Sequence, residues 1–291
     1  GGGEGGETGI KKNRRKEDKE DCCNNTKNGR SLTRFNPNTY YRDGNPRLRA
    51  RMDGEDLNSV DGSNYITCTV IEHYYYELEA ANPNRVGGPR IMPVSFYSNL
   101  SRGGIRYIKE AFSHMLPNSW EANTQIITVH TENPEHWSIV HVNAREKTLT
   151  YYDTLNHNEA RTMTYIMELL CEEGASNSHV TWTKQIKNIP KQQGADCGAW
   201  AIMIAEQIYL GKEVVISPTE GQKVREHIIN TLTTSKWQQI EFREAPTQPN
   251  TTITYRPTID QLSKDNGWIN TRPRPQEGGG LDKLTYRRLL R

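Results

Sequence analysis

The chain has 291 residues, with 37 Lys and Arg against 35 Asp and Glu, a formal net charge of +2. That near-neutral balance carries no electrostatic footprint of a nucleic-acid binder, and no run approaches the roughly 18 apolar residues of a membrane helix. Hydrophobic residues make up only 34%, so one real core with polar flanks is expected.

Residues 1–52 read as a disordered leader. It opens on glycines without a Met or a secretory signal, as an excerpt of something longer would. Its basic run Lys11-Lys12-Asn13-Arg14-Arg15-Lys16 is followed by acids that cancel its field, so a solvated linker is favoured over a nuclear-import patch. Order is expected from about Asp56. Asp61-Gly62-Ser63-Asn64 reads as a turn and cap before a helix in which Ile66, Val70, Tyr74 and Leu78 recur at helical spacing, ended by Asn82-Pro83-Asn84. A second helix is predicted from Ile105 to Met115, with Ile108, Phe112 and Met115 on one face.

The period then changes. Gln125–His130, Trp137–Val142 and Thr148–Asp153 read as strands, the last two joined by a hairpin turn at Asn143–Glu146. Glu159–Glu173 reads as a helix, Val180–Thr183 as a strand, and Ala199–Tyr209 as an apolar helix at the centre of the core. Val224–Leu232 gives one more amphipathic helix. Residues 53–242 would form the folded domain. Residues 243–291 read as a Pro- and polar-rich tail with a short basic C-terminal segment. Helices flanking a contiguous group of strands imply an α+β domain.

The cysteines are Cys22, Cys23, Cys68, Cys171 and Cys197. An odd count with no CxxC pair argues against a disulfide scaffold and against a zinc site. A reducing compartment, cytoplasmic or nuclear, is expected.

Cys197 stands out among them. It lies between the loop Gln192-Gln193-Gly194-Ala195-Asp196 and the apolar helix, with His136-Trp137 and then Asp153 upstream. Cysteine chemistry runs through the thiolate, which a helix N-terminus and a neighbouring imidazolium both favour. His136 is placed at the mouth of a strand and Asp153 at the end of the next. A short turn lays those two ends side by side, so the hairpin itself brings Asp153 towards His136. Asp153 would then fix the tautomer and orientation of the ring. His141, inside the strand, is the weaker candidate base. Gln192 or Gln193 can donate an amide N–H to an oxyanion together with the Cys197 backbone N–H. Gly198 leaves room for a substrate backbone, Trp137 would wall a substrate channel, and Asp196 is expected to brace the loop rather than react.

His136-Trp137, Tyr152-Asp153-Thr154-Leu155 and Gln192…Asp196-Cys197-Gly198 together resemble the Ulp1-type cysteine proteases of clan CE, which include SUMO proteases, adenovirus-type proteases and bacterial effector deubiquitinases. The resemblance covers roughly residues 55–240. Aligning on Ile189-Pro190 makes Gln192 the oxyanion residue, with a loop to the cysteine one residue shorter than in SUMO proteases; Gln193 stays an alternative. The resemblance implies a papain-like fold of the Ulp1/adenain type, a central mixed sheet flanked by helices. It also implies cleavage after the Gly-Gly tail of ubiquitin, SUMO or NEDD8, threaded under Trp137, with no metal or organic cofactor. The unmatched flanks lean towards a microbial effector acting in a host cell. Two rival readings are a YopJ-like acetyltransferase and a non-catalytic modifier-binding protein. The first resembles a His-Glu-Cys pattern, which Asp153 and Trp137 argue against. The second leaves four filled catalytic positions unexplained.

Overall fold

The computed structural model describes residues 52–85, 87–111, 113, 116–155, 160–176, 179–243 and 251–255. The predicted leader apart from Met52, most of the predicted tail, and Phe112, Met115 and Glu159 lie outside these residues.

The first helix, α1 (Gly54–Val60), is one the sequence pattern did not reveal. Asp53 caps it and accepts from the N–H groups of Glu55 and Asp56, while the Asp56 side chain accepts from Asp53 N–H, a reciprocal capping box. Helix α2 (Cys68–Ala81) starts later than predicted. Its cap is Thr67, whose hydroxyl accepts from Val70 N–H and donates to Asp56 Oδ1, so the two helices share one polar hinge. Residues 61–64 form a bend that leads into it.

Six strands form one sheet in the order β1-β2-β3-β4-β5-β6: β1 (Arg90–Ile91), β2 (Gln125–Glu132), β3 (Glu135–Asn143), β4 (Thr148–Tyr152), β5 (Trp182–Lys187) and β6 (Thr251–Tyr255). The β1–β2 and β4–β5 pairs are parallel and the other three antiparallel. The β2–β3–β4 meander matches the predicted strands. β5 begins two residues after the expected start and runs four further, and β6 lies where only a polar tail was expected.

Helices cover both faces. On one, α1, α2, α5 (Cys197–Tyr209) and α6 (Gly221–Thr234) pack with Trp137, Ile139 and Tyr152 of the sheet. On the other, α3 (Ser95–Ala111) and α4 (Ala160–Glu172) pack on Val140, Val142, Leu149 and Tyr151. α3 breaks at Gly104, where φ is +76°, a conformation that suits glycine. The predicted 105–115 helix is therefore the second half of a longer, kinked one. Every residue of α5 is buried, as its all-round apolar sequence requires.

Candidate active site

Two elements make the site: the β3–β4 hairpin and the N-terminus of α5. The hairpin pairs Ile139 with Tyr152. Extending that register puts Asp153 opposite Ser138, on the same face as His136 two residues away. The side chains meet: His136 Nε2 lies 2.5 Å from Asp153 Oδ1, and both residues are buried. Asp153 is held in turn. Its Oδ1 accepts from Leu155 N–H at 2.8 Å, and the Tyr151 hydroxyl lies 3.5 Å from its Oδ2.

Cys197 is the first residue of α5 and is buried. Burial pulls the His136 pKa down, but Asp153 and Cys197 outweigh it and raise the pKa to about 9. His136 is therefore an imidazolium at neutral pH. With Nε2 committed to Asp153, Nδ1 is the ring nitrogen that serves the thiol. His141 lies mid-strand between Ile126 and Thr150, and burial lowers its pKa to about 4. It is a neutral, partly buried strand residue, outside the site.

The two glutamines differ in placement. Gln192 is buried and Gln193 exposed. Gln192 N–H donates to Thr154 O at 3.0 Å, its Oε1 accepts from the Thr154 hydroxyl, and its Nε2 donates to Gly194 O at 2.9 Å. An amide nitrogen carries two N–H groups, so one donor of Gln192 is spent on its own loop and one is left for a ligand. Thr154, directly after Asp153, thus ties Gln192 to the end of β4.

Trp137 and Gly198 are interior. Trp137 Nε1 donates to Ile66 O at 3.0 Å, and its ring lies 4.3 Å from that of His130, the residue opposite on β2. A Cβ on Gly198 would stand 2.8 Å from Ile66 Cβ and 3.2 Å from Trp137 Cδ1. Glycine at 198 is thus dictated by close packing of α5 against Ile66 and Trp137. Asp196 braces the loop as expected, through Arg225 of α6, whose Nε donates to Asp196 Oδ1 at 2.8 Å. Among the described residues no cluster of His, Cys, Asp or Glu is arranged to hold a metal ion, and no helix is long and apolar enough to cross a membrane.

The α+β fold, with a cysteine at the head of a buried helix and a histidine held by an aspartate at one end of a mixed sheet, is similar to that of papain-like cysteine peptidases of the Ulp1 type. A family model described as the Ulp1 protease family, C-terminal catalytic domain, matches residues 95–228. The match agrees with the resemblance to Ulp1-type, clan CE proteases that the sequence carries. Sentrin-specific protease 2 of Homo sapiens is 24% identical over 186 residues, covering 60% of this chain and 30% of that protein. Sentrin-specific protease 3 of Mus musculus is 23% identical over 184 residues, covering 61% and 31%. The chain thus spans about a third of the length of these curated relatives. Among solved structures, the SUMO protease Ulp1 with its catalytic cysteine oxidised to a sulfinic acid superposes with a TM-score of 0.54 at 17% identity, over 65% of this chain and 86% of that one. The Ulp1 protease domain in complex with Smt3, the yeast orthologue of SUMO, gives 0.52 at 18% identity, over 65% and 91%.

Proposed function

We propose that this chain is a thiol isopeptidase that cleaves after the C-terminal glycine of a ubiquitin-like modifier, with SUMO the first candidate. The observation that carries this is the buried His136–Asp153 contact beside Cys197 at the N-terminus of α5. The choice of modifier rests on the named substrates of similar proteins: two sentrin-specific proteases and an Ulp1 domain solved with Smt3.

The chemistry follows from the geometry. The Cys197 thiolate attacks the carbonyl carbon of the terminal glycine. The oxyanion accepts hydrogen bonds from Cys197 N–H and the second N–H of Gln192. The His136 imidazolium gives its proton to the leaving amine, and the acyl-enzyme forms. Neutral His136 then takes a proton from water as the water attacks the thioester, and Cys197 is expelled as the thiolate, which restores the starting state. Asp153 keeps the ring in place throughout and stabilises its charged form. Trp137, fixed between His130 and Ile66, forms the rigid wall along which the glycine tail lies. The compartment is a reducing one, cytoplasmic or nuclear, as a free catalytic thiol requires.

The test is adduct formation with SUMO, ubiquitin and NEDD8 probes carrying a C-terminal electrophile, comparing the native chain with Cys197→Ala. A Cys197-dependent adduct with the SUMO probe is the expected result. A Cys197-dependent adduct with another probe alone would reassign the modifier. A folded protein that reacts with none of them would overturn the isopeptidase reading.

A further inference from the structure

Arg225 is among the largest fully buried side chains, although it carries a permanent charge. Its five hydrogen bonds all stay inside the protein. Nε donates to Asp196 Oδ1 at 2.8 Å, Nη1 to Ser59 O and Val60 O at 3.1 and 3.2 Å, and Nη2 to Asn64 O and Ala195 O, both at 2.9 Å. Two of these bonds grip the residues directly before Cys197. The others grip the end of α1 and the bend leading to Ile66. Ile66 in turn receives the Trp137 indole N–H and abuts Gly198. One guanidinium therefore fixes both sides of the nucleophile's surroundings.

The fate of the Asp196 carboxylate gives the second argument. Asp196 occupies the N-cap of α5, where an aspartate ordinarily accepts from the first-turn N–H groups. Here its side chain caps nothing. Arg225 holds one oxygen, and the other lies where a Cβ on Gly221 would be, 2.2 Å away. A carboxylate folded onto the start of α5 would occupy N–H groups and add negative charge where the thiolate and the oxyanion must form. Drawn onto Arg225, it leaves the helix N-terminus open.

We propose that Arg225 and Asp196 are positioning residues for Cys197: the pair sets the nucleophile's backbone and keeps the Asp196 carboxylate off the N-terminus of α5. The assignment rests on Cys197 being the working thiol. A test that needs no modifier separates its failure from failure of the isopeptidase reading. The rate of iodoacetamide alkylation is measured across pH, residue by residue by peptide mass spectrometry, in the native chain, Asp196→Asn and Arg225→Lys. Lysine keeps the charge but loses the planar fork; asparagine keeps the shape but loses the charge. In both variants the Cys197 rate at pH 7 is expected to fall on the order of ten- to a hundredfold, as misplacement of a reacting group does. Its pH profile should move towards that of Cys68, whose own rate stays unchanged. Native rates and a native pH profile at Cys197 in both variants, with only the melting temperature lowered, would reduce the pair to a structural tie and overturn the proposal. Should Arg225→Lys fail to fold, the near-isosteric Asp196→Asn decides alone.

Discussion

In the proposed reaction Cys197, His136 and Asp153 divide the work by charge. The His136 pKa near 9 means that the ring is protonated at neutral pH, and the proposed reaction hands that proton to the leaving amine. Most of that elevation comes from Asp153 working against burial. Asp153→Asn should therefore lower turnover by about 10²–10⁴-fold, as loss of a ring-orienting acid does in other triads. It should also bring the His136 titration down from about 9, read by NMR of the ring protons. Unchanged turnover with a lowered His136 pKa would show that ring charge at rest is unimportant. The proximity of His136 and Asp153 was legible in the sequence because a hairpin converts spacing into proximity: a strand start and the next strand's end become neighbours whatever the side chains are. Gln192 and Gln193 were not separable that way. What distinguishes them is the burial and anchoring of Gln192 on Thr154, a contact across 38 positions. Arg225 was illegible for the same reason. It sits 29 positions from Asp196 and more than 160 from its other carbonyl partners outside the cysteine loop.

Helix α5 does two jobs that constrain its sequence differently. Its body is core, and its first turn carries Cys197, the proposed nucleophile. Gly198 lies where the two meet. Gly198→Ala would push a methyl against Ile66 Cβ and the Trp137 ring, so it should destabilise by about 1–3 kcal/mol, as overpacking does. It should also displace Trp137, seen as changed indole fluorescence, and lower activity. If chemical unfolding showed no loss of stability, the close packing at Gly198 would not be as tight as the geometry requires. The elements that periodicity missed were the short ones. α1 has seven residues, too few to show an apolar stripe, and only its Asp53–Asp56 pair hinted at a cap. The start of α2 was misplaced because Ser63 and Asn64 are good caps by composition, while Thr67 is the residue tied to Asp56. β6 is Thr251-Thr252-Ile253-Thr254-Tyr255, β-branched and aromatic. The surrounding Pro, Gln and Asn content masked that signal.

At the scale of the whole molecule, the meander reached the sequence reading intact because its strands pair locally. The outer strands need parallel partners or distant segments that only tertiary contact supplies. Packing helices onto the sheet also takes histidines out of water, His141 on β3 and His227 on α6. Burial lowers the pKa of His141 to about 4 and that of His227 to about 4. His227 Nε2 lies 2.8 Å from the Tyr74 hydroxyl, which donates to Glu206 at 2.5 Å, and Trp237 Nε1 donates to the same carboxylate oxygen. A neutral His227 bearing its proton on Nε2 completes that chain. For such histidines the unfolded chain binds the proton first, near pH 6.5. Their contribution to stability is full above that pH and is lost as pH falls towards 4. His136 has the opposite sign: its contribution is full below about 6.5 and is lost as pH rises through about 9. Burial raises the carboxyl pKa values of Glu206 and Asp56, which favours the native state as they take up protons and opposes the histidines at the acid end. A difference measurement isolates one histidine from the rest. The stability of the native chain minus that of His141→Gln, from urea unfolding, should be constant from pH 6.5 to 8 and shrink between 6.5 and 4. A difference that stays flat through that interval would mean that His141 titrates as freely in the folded protein as in the unfolded chain, and that the β3 interior at that point admits water.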